Sequence, residues 1–202
     1  MLDHPSVVTF LLCVSLVLSF SLLRSNRLAI DYGPNTVGLA IADVFGNVDP
    51  LCSLKNGKNL SELSINIMHY IREYNAKEVL VGLPVDSDGR IHHNVHNFNG
   101  RLCLNFSSVL CSVLKNELPT TKLLLVDESF STREAKLRMR TENLKSTIDA
   151  VSAACILERY IEDGGENALN AEPCPYPPPQ SIAMLDYGAV CAHVKKVNKR
   201  KW

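Results

Sequence analysis

The stretch Arg27-Leu28-Ala29-Ile30-Asp31-Tyr32-Gly33, followed after Pro34-Asn35 by Thr36-Val37-Gly38-Leu39-Ala40-Ile41-Ala42-Asp43, decides the fold. Two apolar runs around a Gly-Pro-Asn break read as a β-hairpin. Working outward, a third strand is expected near Val48 to Leu54. Leu60, Leu63, Ile67 and Ile71 then recur at helical spacing up to Tyr74, and Lys77 to Leu83 reads as a short buried strand. The loop from Gly82 to Gly89 has strong turn chemistry, a helical pattern follows from about Val95 to Leu118, and Leu123 to Val126 forms another strand ending in Asp127-Glu128. Ser131-Thr132-Arg133-Glu134 and Ser146-Thr147-Ile148-Asp149 each have the spacing of a capping box and open the last two helices. A hairpin-led sheet followed by alternating helices and strands implies a mixed α/β sandwich.

The 202 residues, 46% hydrophobic, suffice for one core and not for two large domains. Basic and acidic residues balance at 21 each, so no global field draws the chain to polyanions and any such grip must be local. Seven cysteines are scattered without a C-x-x-C pair, which suggests neither a disulfide framework nor a zinc site. Val7 to Leu23 is an apolar run of 17 residues, broken by Thr9, Ser15, Ser19 and Ser21. That length fits the hydrophobic part of a targeting segment better than a full membrane span, so residues 1–26 are expected to be a targeting sequence, with an anchor through residues 7–23 as the alternative. Hydrophobic periodicity is confined to residues 27–163. From Gly164 a proline-rich linker leads to a basic tail in which Lys195, Lys196, Lys199, Arg200 and Lys201 face Asp186 alone.

Three acids fall where apolar elements end: Asp31 at the close of the first strand, Glu128 after a later one and Asp149 at the start of the last helix. Asp149 shares a helical face with Ala153, Ile156 and Tyr160, so it should lean toward the sheet. Converging carboxylates are stable around a divalent metal, and hard oxygen ligands suit Mg²⁺ or Mn²⁺. Each acid also has a local reading: an Asx-turn for Asp31, a position before a helix cap for Glu128, and the acidic partner of a capping box for Asp149. Periodicity alone does not bring the three together. His92, His93 and His96 read as a polar loop, having no fixed partner for a zinc ion. Tyr32 and Phe130 flank site acids and fit either base stacking or the core.

The opening hairpin resembles that of the YqgF/RuvX family, and further blocks follow in order. Val81-Gly82-Leu83-Pro84 with Asp88-Gly89 is similar to the second block, Val126-Asp127-Glu128 with Ser131-Thr132-Arg133-Glu134-Ala135 to the third, and Ile148-Asp149-Ala150 with Ala153-Ala154 to the fourth. Asp-Tyr-Gly alone is weak, since actin-like kinases share it and Asp186-Tyr187-Gly188 repeats it; four blocks in order are specific. The resemblance implies an RNase H-like mixed five-stranded sheet with helices on both faces. It also implies a metal-dependent nuclease acting on structured nucleic acid, either a ribosomal RNA precursor or branched DNA. Asp31, Glu128 and Asp149 match the family's acidic triad and would hold Mg²⁺ or Mn²⁺, with two ions expected. The family's bacterial character makes an organelle with bacterial-type ribosomes, plastid-like or mitochondrial, the expected destination of the leading segment.

The chain departs from the family where phosphate would be gripped. Asn35-Thr36 stand where a basic residue is usual, Ser129 where an arginine follows the Asp-Glu pair, and Ser146-Thr147-Ile148 where lysine or arginine is common. Arg133, Lys136 and Arg140, at offsets of 3 and 7 on one helix face, are the candidate replacement, a solvated face being the plainer reading. The competing function is a catalytically weak nucleic-acid-binding or ribosome-assembly domain that keeps the fold. An actin-like phosphotransferase would need two lobes that this length does not supply.

Overall fold

The computed structural model describes residues 25–57, 59–84, 98–129, 131–142, 144–166 and 168–171. The apolar run at 7–23, the histidine cluster, Phe130, the Asp88-Gly89 turn, the proline-rich linker from 172 onward and the basic tail lie outside these residues. No helix among the described residues is long and apolar enough to cross a membrane.

Six strands and four helices form the domain: β1 (Arg27–Tyr32), β2 (Thr36–Ala42), β3 (Val48–Lys55), α1 (Leu60–Glu73), β4 (Glu78–Leu83), α2 (Phe98–Glu117), β5 (Lys122–Asp127), α3 (Ser131–Thr141), α4 (Ile148–Glu162) and β6 (Leu169–Asn170). Their order in the sheet is β3-β2-β1-β4-β5-β6. The first three strands form an antiparallel meander in which Ile30 lies opposite Leu39, while β1, β4 and β5 run parallel, Ile30 beside Val81 and Val81 beside Leu125. This is the expected mixed α/β sheet, with one strand more than the five anticipated. The sixth comes from residues that read as linker: beyond Gly164 and Gly165, both at positive φ, the chain turns back and pairs Leu169 with Leu125. A two-residue strand has no periodicity to betray it.

Alternation along each strand sorts the side chains into two layers. Leu28, Ile30, Val37, Leu39, Val79, Val81, Leu123 and Leu125 pack against α1 and α2. Ala29, Ala40, Ala42, Leu80, Leu124 and Val126 face α4, which meets them with Ala153, Ala154, Ile156 and Leu157. The second layer is built mainly of alanines along β1 and β2, so α4 lies close to the sheet there. At Gly38 the approach is closest, for a Cβ there would overlap the backbone carbonyl of Asp149. Helix α3 covers α4 through Ala135 against Val151 and Cys155.

Candidate active site

Asp31 extends the Ala29 side of β1, and Glu128 extends the Leu124–Val126 side of β5, so both carboxylates point to the α4 layer at the carboxyl ends of parallel strands. Between them runs β4, whose residue at that level is Gly82. A Cβ on Gly82 would lie 2.7 Å from Glu128 Oε2 and 2.7 Å from Ile156 Cδ1, so the missing side chain makes the space that the carboxylate fills. The first turn of α4, seated on Gly38, brings Asp149 to the same end of the sheet, Gly38 being the register partner of Asp31.

The helix start differs from the capping box expected at Ser146. Thr147 is the N-cap, its hydroxyl accepting from the Ala150 amide at 3.3 Å and meeting Ser53 Oγ at 2.5 Å. With Thr147 as the cap, the third helical position falls on Ala150, and Asp149 is not the reciprocal partner of the box. Its local reading is thereby removed. The Asx-turn reading of Asp31 fails as well, because Asp31 is the fifth residue of a regular strand paired with Gly38. Glu128 does precede the start of α3, and its carbonyl accepts from the Ser131 amide at 3.0 Å.

The electrostatics of Asp31 and Glu128 are those of buried carboxyls, each beside a further carboxylate. Burial first, and then the Asp149 charge, push the Asp31 carboxyl up to about 6, against a hydrogen bond from Ser152 that favours the ionised form. Glu128 is pushed up to about 8 by burial, then by Asp31 and Asp127, and its Oε2 is buried with no hydrogen-bond partner among the described residues. A buried carboxylate oxygen without a donor is costly unless a proton or a cation meets it. Hard oxygen donors at that position fit Mg²⁺ or Mn²⁺. On the opposite side of β4, the Cys103 thiol donates to the Gly82 carbonyl at 2.9 Å, and burial, with Glu128 next in weight, holds it well above the usual thiol range as a neutral donor.

The three acids are gathered loosely. Among the described residues, the trio of ligand-type side chains whose atoms all lie within 4.8 Å of one another is Glu134, Cys155 and Glu158, not the triad. That tighter group is already neutralised: Arg138 bonds Glu134 at 2.7 Å and Glu158 at 2.5 Å, and Arg159 reaches Glu134 at 3.5 Å. It is an ion-pair network joining α3 to α4. Arg159 also donates to the Ser129 carbonyl at 2.7 Å, tying the residue after Glu128 to α4.

Other sequence candidates fall into place around this centre. Arg133, Lys136 and Arg140 are exposed on the outer side of α3, together with Leu137. Tyr32 is core, stacked on Phe106 with ring centroids 4.5 Å apart. Asp43 is half-buried and closes the β2–β3 turn by accepting from the Phe45 and Asn47 amides, while Asp127 points away from Glu128 and accepts from the Ser129 amide at 2.7 Å. Gly82 stands in the second family block without a role of its own there, and Ser152 and Arg159 stand in none of the blocks. Of these, Ser152 was recoverable, standing one helical turn after Asp149; Gly82 and Arg159 act across strands and helices and leave no local pattern.

Comparison with known proteins identifies the family. The family profile RuvX, described as Holliday junction resolvase, matches residues 25–163. The chain is 31% identical over 146 residues to a Malacoplasma penetrans protein named "Putative pre-16S rRNA nuclease", covering 69% of this chain and 95% of that one. A Prochlorococcus marinus protein of the same name is 35% identical over 143 residues, covering 69% and 85%. Among solved structures, Thermus thermophilus RuvC in complex with a Holliday junction substrate is similar over 72% of this chain and 99% of that one, at 12% identity and a TM-score of 0.47. The chain belongs to the RuvX family of nucleases.

Proposed function

We propose that this protein is a metal-dependent endonuclease that hydrolyses phosphodiester bonds in structured nucleic acid, and that its role is the processing of a small-subunit ribosomal RNA precursor. The observation that carries the reading is the buried, unpartnered Oε2 of Glu128 beside Asp31, with Asp149 set on the same end of the sheet. Asp31, Glu128 and Asp149 would hold Mg²⁺ or Mn²⁺. Such ions, two of them in our reading, supply Lewis acidity toward the scissile phosphate and lower the pKa of the attacking water. The carboxylates anchor charge and orient it, Ser152 keeps Asp31 aimed through its hydrogen bond, and Gly82 leaves Glu128 room. No side chain needs to serve as nucleophile.

The relatives' shared name favours ribosomal precursor RNA as substrate, and the family description favours branched DNA. Arg133, Lys136 and Arg140 take over the phosphate grip absent at Asn35, Ser129 and Ser146. We further read residues 1–26 as a targeting segment for an organelle with bacterial-type ribosomes. A full-length fluorescent fusion that enters such an organelle, and stays cytosolic once those residues are deleted, is the expected result. The function itself is tested by incubating the protein with precursor RNA and a four-way DNA junction side by side, with Mg²⁺, with Mn²⁺ and with chelator. Metal-dependent cutting of the RNA is expected. Cutting of the junction alone would move the role to branched DNA, and binding without cutting of either would leave a non-catalytic binding domain.

A further inference from the structure

Helix α3 divides its charges between two faces. Glu134 and Arg138 turn inward and are consumed by Glu158 and Arg159 of α4, while Arg133, Lys136 and Arg140 are exposed and take part in none of the ion pairs among the described residues. These three cations share the outer face of α3 with the exposed Leu137. The helix starts at the acids: the Ser131 amide donates to the Glu128 carbonyl, and Thr132 Oγ1 accepts from the hydroxyl of Ser152, the neighbour of Asp31, at 3.5 Å. The row of cations therefore leads away from the candidate active site.

Seven residues separate Arg133 from Arg140, about 10 Å along a helix axis. In a duplex, one strand offers a phosphate for roughly every 3.4 Å of axis, and the inclined path along its backbone is longer than that rise, so the row meets about two or three of them. Surfaces built for single strands add aromatic rings on which bases stack. Helix α3 has no aromatic residue; between its cations stands Leu137, an apolar surface suited to sugar edges.

We propose that the outer face of α3 is a track for one strand of a double-helical arm flanking the cleavage point, with Arg133, Lys136 and Arg140 each neutralising one phosphate. This deepens the hydrolytic reading by naming the shape of the substrate next to the cut, and it rests on that reading only for the direction of the track. The grip is sequence-independent and engages any duplex backbone, RNA or DNA.

The test is equilibrium binding of the full-length protein, in chelator, to a fluorescent RNA duplex, a DNA duplex of the same sequence and either single strand, across 50 to 200 mM salt. The parent should bind duplex more tightly than single strand. The triple variant Arg133→Gln, Lys136→Gln, Arg140→Gln should reduce the slope of log K against log salt on the preferred duplex by about 2.7, at about 0.9 per lost contact. Charge-preserving Arg133→Lys, Lys136→Arg, Arg140→Lys should keep the parental slope, which separates lost charge from a damaged helix. The proposal is overturned if the glutamine variant, melting as the parent does, keeps the parental slope, or if single strand binds as tightly as duplex. Because metal is absent, a protein that never cuts but shows the predicted slopes would overturn the hydrolytic reading and leave the track standing.

Discussion

Gly82 lies directly beneath Glu128: the position that its Cβ would occupy is 2.7 Å from Oε2 and 3.0 Å from Glu128 Cβ. Strand β4 therefore runs between β1 and β5 without a side chain at the level where the acids of both neighbours converge.

Gly82→Ala should displace Glu128 and strain Ile156, costing about 1–3 kcal/mol by overpacking. A shift of the carboxylate by about 1 Å should lower the cleavage rate about 100-fold. Thermal melting and initial rates together check this; a variant cutting at the parental rate would show that Glu128 does not need the space.

In chelator, stability should fall as pH rises. Unfolded Glu128 releases its proton near 4.5, whereas the folded protein retains it to about 8; Asp31 behaves likewise between 3.8 and about 6. Across those windows the folded state binds more protons, so each unit of pH erodes stability, the reverse of a salt-bridged carboxylate. Glu128→Gln should flatten the fall between pH 5 and 8 and melt higher than the parent at pH 8. Parallel melting curves for the two proteins would contradict the burial of that charge.

Arg159→Gln should remove the tie between α4 and Ser129 and unbalance Glu134. With half-exposed partners the stability cost should be about 1 kcal/mol. The cleavage rate should fall more than melting alone explains, because Ser129 adjoins Glu128. Unchanged rates would reduce Arg159 to a surface contact.

Much of this architecture is legible in the chain. The hairpin around Pro34, the helix from Leu60 and the buried runs at Val79–Leu83 and Leu123–Val126 announce themselves by periodicity, and the acids stand at the ends of those runs. What the sequence hides acts across space. Gly82 is one glycine in an apolar strand until Glu128 is seen above it. Thr147 rather than Ser146 caps α4, a one-residue shift that changes the surroundings of Asp149 and that capping patterns do not resolve. Leu169 joins the sheet because it fits the edge of β5, with Ala171 donating its amide to the Leu123 carbonyl and accepting from the Cys111 thiol.

That edge yields a prediction of its own. A fragment of residues 27–171 should melt several degrees above one of residues 27–163, since the shorter piece strips Leu169 from the core and leaves the outer edge of β5 unpaired. Equal melting temperatures would show that β6 adds nothing to the domain.

The proposed role of Asp31, Glu128 and Asp149 in holding the ions is decided by initial cleavage rates of Asp31→Asn, Glu128→Gln and Asp149→Asn on the preferred substrate in Mg²⁺ and Mn²⁺, with melting curves taken with and without metal. Asp43→Asn and Asp127→Asn serve as controls, their side chains bonding turn amides away from the α4 layer. Each triad variant should lose cleavage and the metal-induced rise in melting temperature while staying folded, and the controls should keep both. Triad variants that cut and bind metal as the parent does would place the active site elsewhere.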